Sequence, residues 1–111
     1  MLMGNDMGYE ARMKHLRASV RLNSRVPLIL EWTEGGQEHS EAGYTVDVSP
    51  KGCLAMALQG FAVGQRLRLL NKVTGRRSEA ILIWRGHEGR TGWELGLELH
   101  EPPEDFWGVE F

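Results

Sequence analysis

Past Arg25 the chain turns to an alternation of period two. Val26, Leu28, Leu30 and Trp32 are apolar at every second position, and the run ends at Glu34-Gly35-Gly36-Gln37. That is the pattern of a half-buried strand leading into a hairpin turn. Tyr44, Val46 and Val48 predict a second strand, and Leu54, Met56 and Leu58 a third after Gly52. Leu67 and Leu69, interleaved with Arg66 and Arg68, predict a fourth. Ala80, Leu82 and Trp84 predict a fifth after Thr74-Gly75-Arg76. Trp93, Leu95, Leu97 and Leu99 alternate with Glu94, Gly96 and Glu98 in a sixth after Glu88-Gly89-Arg90. Six short strands with turns at near-regular spacing predict an antiparallel barrel or sandwich. Trp32, Trp84 and Trp93 fall on the apolar alternation and are expected in the core. Pro102-Pro103 stops the last strand, and Phe106-Trp107 is expected to pack onto the barrel, with Trp107 sealing its end or meeting a partner. Met1 to Tyr9 shows no pattern and reads as a loose terminus. Glu10 to Leu16 allows about two helical turns without a defining cap.

The 111 residues suit one domain with a modest core,. A net charge of −2 disfavours wholesale nucleic-acid binding,. The charge is uneven, however. Arg12, Lys14, Arg17, Arg21 and Arg25 occur with no Asp or Glu among them, whereas acids dominate from Glu94 onward. A basic segment in a mildly acidic chain is either a local anion site or a solvated stretch. Cys53 is the single cysteine, which leaves no disulfide framework and no cysteine-based metal site,. His15, His39, His87 and His100 lie in separate segments without metal-ligand spacing,. No run approaches about 20 apolar residues, so no membrane span is expected. Met1 to Tyr9 lacks an apolar signal-peptide core, and a cytoplasmic location is expected,.

Two short motifs carry the candidate chemistry. Arg17-Ala18-Ser19-Val20-Arg21 is an RxxxR, and Asp47-Val48-Ser49-Pro50-Lys51-Gly52 is a DxSxxG. Each alone is common: arginines four apart recur by chance, and Asp, Ser and Gly favour turns. Together they suit a guanine nucleotide. Guanidinium groups match phosphates and the acceptor edge of guanine. A carboxylate and a hydroxyl match its donor edge, and a glycine permits close approach of a ligand to the backbone. Asp47 and Ser49 are two apart on a strand and share one face, which places them outside the barrel with Val46 and Val48 facing the core. A hydrolase is not expected, since no histidine stands at a recognisable spacing and no nucleophile elbow surrounds Ser49.

In this order and on this topology, the motifs resemble the PilZ domain, the bacterial receptor module for cyclic di-GMP. The resemblance covers the chain from about Lys14 to Phe111. Pro27-Leu28 sits where PilZ domains often carry Pro-Val, and Gly96-Leu97-Glu98-Leu99 resembles the closing strand, with Leu99 where Phe is common. The resemblance implies a six-stranded antiparallel barrel over residues 14–111, with a flexible N-terminus over 1–13, a flexible arginine-rich segment and a short C-terminal extension. It also implies a non-enzymatic receptor that binds cyclic di-GMP without a further cofactor or metal and relays its level to an unidentified protein partner. The alternative is a PilZ-like adaptor that works through protein contacts alone. Arg17 and Arg21 would contact phosphate and guanine, Asp47 the N1 and N2 donors, Ser49 would add a hydrogen bond, and Gly52 would let the ligand approach. Arg21 to Arg25 is a second RxxxR. The family's spacing to Pro27 favours Arg17 with Arg21, leaving Arg25 to neutralise the ligand or remain solvated. Leu16 stands where an arginine accompanies a stacked ligand pair in the family, which implies one ligand per chain. Five like charges without an internal acid imply that residues 12–25 are mobile until a ligand orders them.

Overall fold

The computed structural model describes residues 21–111. Among them are six strands: β1 Pro27–Glu34, β2 Gln37–Ser49, β3 Gly52–Ala57, β4 Arg66–Asn71, β5 Arg77–Gly89 and β6 Gly92–His100. They form a closed antiparallel barrel in the order β1-β2-β3-β6-β5-β4, with β1 pairing β4 to complete the ring. Closure leaves no unpaired sheet edge. The described residues contain no helix, so none is long and apolar enough to cross a membrane.

The alternation explains most of the interior. Leu28, Leu30, Leu67, Leu69, Leu82, Leu95 and Leu97 are buried inside the barrel, each worth about 1.5–3 kcal/mol of transfer free energy. Glu34 pairs with Gln37 across a two-residue turn in which Gly35 and Gly36 both take positive φ, 59° and 78°. Only glycine enters that conformation without steric cost. Aromatic residues close both ends. At one, Trp32 meets Phe61 edge to face at 4.8 Å. At the other, Phe106 and Trp107 are buried, as expected of the tail. Asn71 and Thr74 donate to the Phe106 carbonyl at 2.9 and 3.1 Å, and the Trp107 indole N–H donates to the Ser49 carbonyl at 2.8 Å. Trp107 therefore seals the barrel end.

Three expectations need correcting, and two share a cause. β2 carries a bulge between Thr45 and Asp47, and β5 one between Leu82 and Trp84. A bulge inserts an extra residue and reverses the alternation beyond it. Val46 is consequently 42% exposed rather than core-facing, and Trp84 is 49% exposed. In β3 the core face belongs to Ala55 and Ala57, while Leu54 and Met56 are half-buried and Leu58 is exposed. Small alanines fit the crowded interior where β3 meets β2 and β6. The helix expected over Glu10–Leu16 lies outside the described residues.

Candidate functional site

Asp47 pairs with Leu54 on β3, Leu54 with Gly96 on β6, and Gly96 with Trp84 on β5. Directly opposed residues share a face, so Asp47, Leu54, Gly96 and Trp84 form one row across four strands. Three inter-strand steps make it about 14 Å wide. The bulges at Val46 and Ile83 flank this row on β2 and β5, aiming Asp47 and Trp84 out at its two ends.

At the Asp47 end, the Arg21 guanidinium pairs with the carboxylate. The Asp47 side chain is only 12% exposed and that of Arg21 36%. A charge-assisted contact of this kind is stronger than a neutral hydrogen bond. It does not exhaust either partner: a carboxylate has about four acceptor sites and a guanidinium five donors. Backbone contacts place Arg21 there. Leu22 and Val48 exchange two backbone hydrogen bonds of 2.9 Å, which lays the chain before β1 along the end of β2. Further along, the Arg25 guanidinium stands 4.0 Å over the Tyr44 ring centroid, a cation–π contact,. Arg21–Arg25, the described part of the segment expected to be mobile over residues 12–25, lies along β2. Arg12, Lys14 and Arg17 lie outside the described residues; Arg21 and Arg25 both stand beside β2.

Ser49 and Gly52 close the motif differently from expectation. Ser49 is on the same face as Asp47 but buried, and its hydroxyl donates to the Gly52 carbonyl at 3.4 Å. Gly52 opposes Glu98, and a Cβ there would lie 2.3 Å from the Leu97 carbonyl oxygen. The backbone that approaches Gly52 in this structure is that of β6.

At the far end, the indole of Trp84 is seated over glycines. A Cβ on Gly96 would lie 3.2 Å from the Trp84 Cβ, and one on Gly86 2.6 Å from its Cη2. The ring therefore runs along β5 over the glycine backbone with the Glu94 side chain beside it, and about half its surface faces solvent. An exposed indole of this kind is a stacking platform for a base. The sequence reading missed it because Trp84 continues the apolar alternation of Ala80 and Leu82. Gly86 and Gly96, two residues without a side chain to cover a strand-borne ring, were the available signal.

The opposite side of the barrel has different electrostatics. Arg68 pairs with Glu79 at 3.1 Å and Arg77 with Glu31 at 3.2 Å, in the open. These cations are neutralised within the sheet, as a solvated face requires. Cys53 lies on β3 opposite Val48, one residue from the row. Burial, and secondarily the Asp47 charge, push its thiol well above the usual range. A raised value means less thiolate at pH 8, so alkylation of the folded protein should be slow and should become fast in denaturant. Equal rates in both states, measured by thiol titration, would contradict this environment. Among the described residues no group of His, Cys, Asp or Glu is placed to hold a metal ion.

The chain matches no family model, no curated protein and no solved structure.

Proposed function

We propose that the chain is a PilZ-type receptor that binds cyclic di-GMP on the outer face of β2, β3, β6 and β5 and relays its level to a protein partner. One observation carries the reading: Arg21 and Asp47, 26 residues apart and one from each motif, meet side chain to side chain. The carboxylate offers acceptors to the N1 and N2 donors of a guanine, while Arg21 keeps donors for O6, N7 or a phosphate. Leu54 gives an apolar floor, and Trp84, seated over Gly96, a ring on which a purine can stack. Arg25 adds positive charge beside the row. No bond is made or broken; the ligand exchanges one set of surface contacts for another, and the partner reads the changed surface.

Trp84 supplies the test. Cyclic di-GMP should quench part of the tryptophan emission, and Trp84→Phe should remove most of that change. Trp84→Ala should weaken binding about 5- to 100-fold, the range of one lost base stack. Its melting temperature should stay close to that of the wild type, because the side chain is half exposed. Saturable binding unaffected by Trp84→Ala would contradict the placement of the ligand on this row.

A second reading has an observation of its own. Val46, Ile83 and Trp84 are exposed apolar side chains on and beside this face, as an adaptor acting through protein contacts would require. Absence of any nucleotide response together with capture of a partner lost in Trp84→Ala would favour it.

A further inference from the structure

We infer that Thr45 is a positioning residue that sets where the Arg21 and Arg25 guanidinium groups stand on β2; its effect on ligand affinity rests on the receptor reading above. Thr45 belongs to neither motif. It precedes the bulge of β2, where the regular ladder is interrupted. Its backbone N–H donates to the Val26 carbonyl at 3.0 Å. Its hydroxyl accepts from the Val26 N–H at 2.7 Å and donates to the Ser24 carbonyl. One side chain thus holds the peptide groups on both sides of Arg25. Thr45 is 1% exposed and Val26 is buried, so the Val26 N–H would otherwise be buried unpaired, while the Ser24 carbonyl is partly buried.

The consequence concerns register. The segment before β1 is tied to β2 at Leu22–Val48 and again at Ser24–Val26. Arg21 adjoins the first tie and Arg25 lies within the second. The hydroxyl ties the backbone on both sides of Arg25 to β2, and so fixes how far along β2 each arginine stands. Valine has the same shape as threonine but supplies neither a donor nor an acceptor. Serine keeps both and loses only a methyl group.

Limited trypsin digestion of the free protein reads the clasp directly, with Arg66 and Arg77 in the barrel as internal controls. Thr45→Val should be cut after Arg21 and Arg25 about tenfold faster than the wild type, with the barrel sites unchanged, because cleavage follows local opening. Its dissociation constant for cyclic di-GMP should rise about tenfold. Thr45→Ser should match the wild type in both measurements. Unchanged cleavage after Arg21 and Arg25 in Thr45→Val would overturn the clasp. So would equal acceleration at all four sites with no rescue by serine, which marks a merely structural loss. Faster cleavage with unchanged affinity would overturn the positioning role. If the wild type binds no cyclic di-GMP, the receptor reading fails, and the cleavage arm still decides the clasp.

Discussion

Asp47→Ala is expected to weaken cyclic di-GMP binding by at least about 100-fold. The substitution leaves the guanine donors facing a surface without an acceptor, worth about 1–3 kcal/mol, and removes the charge that holds Arg21 in place. Arg21→Ala should be at least as severe, since this residue belongs to both possible registers and is the one seen on Asp47. Arg25→Ala should cost less, because that guanidinium is engaged on Tyr44 rather than on the carboxylate. Neither Asp47→Ala nor Arg21→Ala should lower stability by more than about 1 kcal/mol, as partly exposed ion pairs contribute little. Calorimetric affinities beside thermal melts check both halves. A pronounced loss for Arg25→Ala with near-normal binding by Arg21→Ala would place the ligand elsewhere along β2.

Gly52→Ala should act in the opposite way. The added carbon would stand 2.3 Å from the Leu97 carbonyl oxygen and 3.4 Å from the Glu98 Cα, both rigid backbone within the β3–β6 pairing. Neither can step aside without opening the ladder that closes the barrel beneath the site. A destabilisation of about 3 kcal/mol or more is expected, in the range of severe overpacking. For a domain of this size that lowers the melting temperature by about 15 °C. Thermal melts followed by circular dichroism give the answer. A normal melt with abolished ligand binding would show that Gly52 serves the ligand and not the sheet.

The contrast between these two residues shows what the sequence could reveal. Both sit in DxSxxG, and the motif suggested a ligand role for both. Burial by a neighbouring strand depends on which strand returns beside β3, and the β6 residues that meet Gly52, Leu97 and Glu98, are 45 and 46 residues further along the chain; local pattern carries no such information. The barrel itself was legible because four of the six strands, β1, β4, β5 and β6, obey the simple alternation well enough to locate their inward leucines. Trp84 was misplaced because a single inserted residue, Ile83, shifts everything after it to the other face, and an apolar bulge residue beside an apolar tryptophan leaves no mark in a hydropathy pattern. Val46 was misplaced for the same reason. Asp47 was read onto the outer face correctly despite that bulge, because the pairing resumes before Val48, which does face the core. Thr45 was passed over altogether: a threonine in a strand is unremarkable until its hydroxyl is seen bridging two peptide groups of another segment.

The central claim is that the two motifs form one nucleotide site. Isothermal titration of the wild-type protein with cyclic di-GMP tests it most directly. The account predicts saturable binding with a micromolar or lower dissociation constant, about −8 kcal/mol or better, at one ligand per chain, and much weaker competition from cyclic di-AMP, whose adenine lacks the O6 acceptor and the N2 donor. No heat at about 100 µM ligand, or equal binding of the adenine dinucleotide, would contradict it.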